Sequence, residues 1–411
     1  MFGGSQTGEL VSTAPHPSRL QEQPRVTPAI PAITPAIPAI TPAIPAITPV
    51  TPAITPVLVL TYNRPAALKR VLRQLFDQIS TANYSELFPV VVSHDNDDIA
   101  TMDVLRAYPL TYIRQPDQRQ ITKVTKPTFN IEGYHRVSRH YAWALNQIVN
   151  VLYPEAKTVV ILEDDLDLSK DLFDYFSALR GLLLKDDRIL CVSGFNDNGK
   201  SLNVDESDAC RLWYSDFFPG LGWMTTASII RELLRTPWPP AYWDDWLRHP
   251  ARRKGRVCIR PEVSKTATFG RVGVSLGQFF DLHLSKIVLN KQPCVYNSEL
   301  IEALRRERYD AEYAALLADS VESTIKDLFT AEGIEKLNAS RPKSVKVVCR
   351  SSDQWIRAAQ RFNIMNDIRG GVARNSYRGA VPVMHMGFRV FVIPPAADPN
   401  PRRIRTSSVH R

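Results

Sequence analysis

TVVILEDDLDLSKDLFDYF, residues 158–176, runs an apolar segment straight into four carboxylates, Glu163, Asp164, Asp165 and Asp167. The run TVVIL has the composition of a buried strand, and LSKDLFDYFSALRGLLL (168–184) follows it with apolar residues at helical spacing. Two carboxylates about 4 Å apart repel by roughly 4 kcal/mol near a protein surface. Acids gathered at the end of such a strand are therefore solvated, protonated or neutralised by a cation.

The same strand-then-helix texture extends outward in both directions. VLVLTYN (57–63) predicts a buried strand, and RPAALKRVLRQLFDQI (64–79) a helix with proline in its first turn. FPVVVSHDND (88–97) predicts a second strand ending in polar residues, YHRVSRHYAWALNQIVNVLYP (134–154) a helix, and CVSGFNDNG (191–199) a further strand and turn. Strands separated by helices of this length argue for an α/β fold with a mostly parallel, doubly wound sheet. A closed barrel is the rival arrangement, and the uneven spacing after residue 200 weighs against it. Open sheets of this kind bind ligands at the carboxyl ends of their strands, which would gather Asn63, Arg64, Asp95 and Glu163 to Asp165 along one edge.

The boundaries are compositional. Residues 1–26 read as a disordered N-terminal segment. Between Thr27 and Ile47 the heptapeptide TPAIPAI occurs three times, and proline recurs to residue 56. Proline lacks a backbone donor and fixes φ, so 27–56 predicts an extended, polyproline-like stalk or linker. The globular part begins at Val57. Residues 57–300 form the expected catalytic unit. Residues 301–395, more polar and helical and ending in a predicted hairpin at YRGAVPVMHMGFRVFVIPP (377–395), form a smaller α+β unit, and 396–411 is a basic tail.

With 411 residues, 44% of them hydrophobic, the chain is long enough to bury a sizeable core. Its net charge of +9 suits an anionic partner. The cations are spread along the chain apart from HPARRKGR (249–256), and no zinc-finger spacing or RNP-type motif accompanies them, so a phosphorylated small molecule is favoured over nucleic acid. Five cysteines without CxxC spacing exclude a disulfide scaffold and a zinc knuckle; burial is their default, with one or two disulfides open in an oxidising compartment. No apolar run approaches the roughly 20 residues that span a bilayer.

No GxGxxG follows the first strand and no GxxxxGK[ST] occurs, which disfavours a nicotinamide enzyme or a P-loop NTPase. What remains at the strand ends is carboxylate, the hard ligand of Mg²⁺ or Mn²⁺ beside substrate phosphate oxygens. For Glu163 to Asp165 a metal and substrate role is the stronger reading; for Asp167 and Asp171 it is the dipole of the following helix. In WPPAYWDDWLRHP (238–250) the acids flanked by Trp243 and Trp246 suit either a sugar site with a proton-accepting Asp or an aromatic helix start with Asp caps. His140 on its amphipathic helix reads as a packing residue or a ligand contact, and Arg64 as a surface or phosphate-binding cation. Ser275 lies in FGRVGVSLGQFFD (269–281), either an ordinary loop or a mobile lid.

Taken in order, VLVLTYNRP, VVVSHDND, SRHYAWAL, VVILEDDLD, CVSGFNDNGK, DFFPGLGW, WPPAYWDDWLRHPARRKGRVCIRPEVSKTATFG and VGVSLGQFFD closely resemble the catalytic domain of the N-acetylglucosaminyltransferase I family. The resemblance covers about 57–300, extends more weakly through NDIRGGVARNSYRGAV (366–381), and leaves out 1–56. It implies a GT-A type fold with a mostly parallel central sheet. It also implies an inverting, Mn²⁺-dependent transfer of GlcNAc from UDP-GlcNAc to the 2-hydroxyl of the α-1,3-linked mannose of a high-mannose N-glycan on a glycoprotein, the step that starts hybrid and complex glycans.

By motif position, the resemblance implies that Arg64, Asp95, His140, Asp164 and Ser275 bind UDP-GlcNAc, Asp165 holds Mn²⁺ and Asp244 is the general base. It also implies a Cys191–Cys258 disulfide, while a second family pair falls on Tyr62 and Asn96. A lumenal Golgi location and membrane association are expected of the family, whose members usually begin with a short tail and a transmembrane anchor that this sequence does not show. Two alternatives accompany it: a sibling β-1,2-GlcNAc transferase acting on O-linked mannose, and a catalytically silent glycan-binding module.

Overall fold

The structure, a computed structural model, describes residues 54–116 and 131–395; the N-terminal segment, most of the Pro-rich repeats and the basic tail lie outside the described residues. The main strands and helices of the part that carries the acidic motifs are β1 (Val57–Thr61), α1 (Pro65–Thr81), β2 (Val90–His94), α2 (Ile99–Arg106), β3 (Thr111–Arg114), α3 (Ile131–Gln147), β4 (Thr158–Glu163), β5 (Leu166–Leu168) and α4 (Leu172–Lys185). The series continues with β6 (Ile189–Ser193), β7 (Leu212–Ser215), β8 (Trp223–Thr226), α5 (Ala227–Leu234), α6 (Trp243–Arg248), β9 (Val257–Pro261) and β10 (Thr266–Thr268).

Eight of these strands form one sheet in the order β3-β2-β1-β4-β8-β6-β9-β7. β1, β2, β3 and β4 are mutually parallel neighbours, as are β6 and β9, while β8 enters antiparallel between β4 and β6. The expected mostly parallel α/β architecture is the one adopted. Alternation along the strands explains the continuous apolar runs: Val57, Val59, Val160 and Leu162 enter one core and Leu58, Leu60, Val159 and Ile161 the other, so each strand is covered on both faces. α1 seals one face with Leu68, Val71, Leu72, Leu75 and Ile79, and Pro65 begins it where no backbone donor is needed. α3 contributes Tyr141, Ala144 and Leu145 to the other.

Register turns this layering into a site. Leu60 pairs with Glu163 and Thr61 with His94, so β1, β2 and β4 end together and their following residues, Arg64, Asp95, Asp164 and Asp165, emerge at one edge. β5 and β10 form an antiparallel ribbon beneath that edge, and Phe269 N–H donates to the Asp165 carbonyl at 2.9 Å.

A second, four-stranded sheet, in the order Val321–Glu322, Val345–Val348, Phe388–Ile393, Val381–His385, has its own core around Leu328, Trp355, Phe362 and Val390. Its last two strands are the hairpin expected in 377–395. Two disulfides join Cys191 to Cys258 and Cys210 to Cys294. The first, implied by the resemblance, links neighbouring strands β6 and β9; the second is the further bridge the cysteine count leaves open, its partners unnamed by the sequence, and of the five cysteines only Cys349 has a free, buried thiol.

Candidate active site

The EDD acids occupy three different environments. Asp164 is fully buried, accepts from Thr61 Oγ1 at 2.6 Å and from Tyr62 N–H at 3.3 Å, and pairs with Arg64 Nη2 at 2.6 Å. Burial pushes its carboxyl up to about 6 even though Arg64 pulls the other way. Asp165 is slightly exposed and takes Arg64 Nη1 at 2.7 Å. Arg64, at the helix entrance after β1, thus supplies the nearest countercharge for both; burial disfavours its charge, but the two aspartates outweigh this and raise its pKa.

Glu163, which the sequence places with the metal and substrate acids but to which the family resemblance assigns no role, accepts a 2.5 Å hydrogen bond from the Tyr141 hydroxyl. Desolvation first, and the charge of Asp165 second, push Glu163 up to about 7.

The side chains of Asp167 and Asp171 make no hydrogen bond to the following helix. Asp167 lies on β5 and binds Arg70 and Gln74 of α1. Asp171 is the N-cap residue of α4, its carbonyl accepting from Tyr175 N–H at 2.9 Å, but its side chain does not cap the helix. It is buried instead on Lys265 Nζ at 2.7 Å, with Cys294 N–H and Ser169 Oγ also donating to it. Partners distant in sequence, not the local helix turn, therefore bind both carboxylates.

WDDW forms the short helix α6, entered through Tyr242 in a left-handed conformation, φ 51°. Trp243 is a core residue, stacked at 4.1 Å on Tyr141 and packed on Phe218 and Trp223, so it offers no open face to a sugar. Asp244 and Asp245 project from the first turn and share one cation: Arg248 Nη1 lies 2.6 Å from Asp244 Oδ2 and 2.9 Å from Asp245 Oδ1. Asp245 receives Arg369 at 3.4 Å on its other oxygen. No described residue donates to Oδ1 of Asp244.

Tyr141 joins the two acidic clusters, its hydroxyl on Glu163 and its ring on Trp243. Burial, with the charges of Glu163, Asp244 and Asp165, raises its phenol well above the ordinary value.

His140 and Asp95 lie at the end of β2. His140 is buried with Nε2 2.7 Å from Ser93 Oγ, and burial, reinforced by His94 and Arg139, pushes it down to about 3, so the imidazole is neutral at physiological pH. Asp95 is buried, its backbone N–H on the Thr61 carbonyl at 3.2 Å. Ser275 is exposed in the loop after β10. Arg271 and Asp281 pair at 3.1 Å near the ends of that loop, and Val272 and Leu276 are 83% and 75% exposed on it.

A divalent ion finds a hard oxygen donor in Asp165. Among the described residues no three His, Cys, Asp or Glu side chains converge as a cage. The donor set therefore fits an ion held by one carboxylate, with substrate diphosphate and water as its other ligands. Gly270 leaves room for that carboxylate: a Cβ there would lie 2.1 Å from Asp165 Oδ2.

Sequence reasoning missed Tyr141, Arg248, Gly270 and Arg369. All four stand inside quoted segments, SRHYAWAL, WPPAYWDDWLRHP, FGRVGVSLGQFFD and NDIRGGVARNSYRGAV, but their roles depend on contacts that spacing does not encode.

A family model described as the GNT-I family matches residues 30–400. The alpha-1,3-mannosyl-glycoprotein 2-beta-N-acetylglucosaminyltransferase of Arabidopsis thaliana is 34% identical over 342 residues, covering 82% of this chain and 73% of that protein. Among solved structures, S. aureus TarS is 14% identical with a TM-score of 0.35, over 75% of this chain and 80% of that one. Mannosyltransferase PcManGT from Pyrobaculum calidifontis, in complex with GDP-Man and Mn²⁺, is 16% identical with a TM-score of 0.32, over 70% and 79%.

Proposed function

The chain belongs to the GNT-I family, and from that premise we propose that it transfers GlcNAc from UDP-GlcNAc, with inversion, to the 2-hydroxyl of the α-1,3-linked mannose of a high-mannose N-glycan in the Golgi lumen. The observation that carries the reading is the meeting of the two acidic clusters across Tyr141: one at the carboxyl edge of the sheet, the other presenting Asp244.

In this reading Arg64, Asp95, His140 and Asp164 receive the nucleotide sugar, His140 as a neutral hydrogen-bonding group, and the loop carrying Ser275 folds over it. Asp165 would hold Mn²⁺, which when bound neutralises charge on the departing UDP. Inversion needs one base on the acceptor side. Asp244 suits that task better than Asp245, because among the described residues nothing donates to one of its oxygens while both oxygens of Asp245 are engaged by arginines.

The test is an acceptor panel with UDP-GlcNAc and Mn²⁺. A five-mannose N-glycan should gain a single β-1,2-linked GlcNAc. Product only on an O-mannosyl peptide would move the assignment to the sibling activity, and donor binding without turnover on any acceptor would leave a glycan-binding module.

A further inference from the structure

The turn Asp367–Ala373 reaches from the C-terminal part of the chain to α6. Its two short strands, Ile368–Arg369 and Val372–Ala373, are joined by Gly370 and Gly371 at positive φ. Gly370 lies against the backbone of Arg248: a Cβ there would stand 2.4 Å from the Arg248 carbonyl oxygen, at a φ of +54° that side chains rarely adopt. This seat brings Arg369 to Asp245.

A chain of alternating charges then runs from the sheet to the base. Buried Asp197 pairs with Arg374 at 2.5 Å, Arg374 with Asp367 at 2.7 Å and Asp367 with Arg369 at 3.2 Å. Arg369 reaches Asp245 at 3.4 Å, Asp245 reaches Arg248 at 2.9 Å and Arg248 reaches Asp244 at 2.6 Å. Arg248 is fixed from behind, its Nε on the Phe218 carbonyl at 3.1 Å and its guanidinium 4.6 Å from the Phe217 ring centre.

We propose that Arg369 is a positioning residue for the base, so that the C-terminal turn completes the acceptor side of the site. The proposal rests on the assignment of Asp244 above. Asp244 and Asp245 are adjacent like charges serving one Arg248 nitrogen. While Arg369 holds the second oxygen of Asp245, that aspartate stays in place and Arg248 remains aimed at Asp244. Without Arg369 the pair carries an uncompensated charge, and Asp245 is free to draw Arg248 away from the base.

Arg369 is 43% exposed, so its replacement removes no core packing. In the full chain, Arg369→Ala should lower kcat by about 5- to 20-fold with KM for UDP-GlcNAc unchanged, the scale expected of a small misplacement of a reacting group. Arg369→Lys should recover part of the loss, because the charge returns without the planar fork. Wild-type kinetics in Arg369→Ala, or a defect confined to donor KM, would overturn the proposal. If the wild-type chain transfers GlcNAc to no acceptor, the functional reading fails instead. The clamp is then judged by urea unfolding of Arg369→Ala, Asp245→Asn and the double variant: non-additive effects support it and additive ones overturn it.

Discussion

The guanidinium of Arg64 lies 2.6 Å from the carboxylate of Asp164, an aspartate with no solvent exposure, and the two residues are brought together only because β1 and β4 are parallel neighbours. Removing the cation leaves a buried negative charge with hydrogen bonds but no countercharge. Arg64→Ala should cost about 1–3 kcal/mol in urea unfolding, less than for a fully buried pair because the Arg64 side chain is 35% exposed. Arg64→Ala combined with Asp164→Asn should recover much of that loss. Equal losses in the single and double variants would show that the stranded charge is not the cause.

Asp244→Asn should reduce kcat by about 10²- to 10⁴-fold, the usual contribution of a general base, while UDP-GlcNAc binding measured by calorimetry persists. Asp245→Asn should retain far more activity. The reverse ranking would transfer the role of base to Asp245.

Chelation with EDTA should abolish transfer and added Mn²⁺ should restore it. Gly270→Ala forces a methyl group toward the Asp165 carboxylate, and should raise the Mn²⁺ concentration for half-maximal activity by about 10-fold or more, as removing support from a metal ligand does. Activity indifferent to chelation would remove Asp165 from the mechanism. An unchanged Mn²⁺ requirement in Gly270→Ala would show that the Asp165 carboxylate relaxes without consequence.

Glu163 has a pH signature of defined sign. Its carboxyl is raised from 4.5 to about 7, so the folded state holds the proton more tightly than the unfolded chain. The stability this proton confers is complete below pH 4.5 and is lost as pH rises through 7. Glu163→Gln keeps an acceptor for Tyr141 without the charge. It should therefore gain roughly 1–3 kcal/mol over wild type at pH 8 and little at pH 4. A gain that is the same at both pH values would refute the assignment.

The layout of the fold was legible in the sequence. VLVLT, VVVSH and TVVIL are mostly apolar and buried along their length because both faces of each strand are covered, and the helices between them declare themselves by spacing and by Pro65. Arg64, Asp164 and Asp165 could be named because each ends or follows such a strand. Trp243 stayed open between two readings for a physical reason: an aromatic beside acids looks alike in sequence whether it faces a sugar or, as here, stacks on Tyr141 in the core. Asp167 and Asp171 misled because partners from α1 and from Lys265 are invisible to local spacing.

By itself, the sequence determined the alternation of the main buried strands and amphipathic helices up to about residue 200, and that acids stand where strands end, since periodicity and hydrophobicity are local properties. Only the tertiary structure decided the partners of those acids: Arg64 for Asp164 and Asp165, Tyr141 for Glu163, Arg248 and Arg369 for the WDDW pair. A buried charge takes whichever countercharge the packed chain brings within about 4 Å, and chain folding, not sequence distance, sets which one that is.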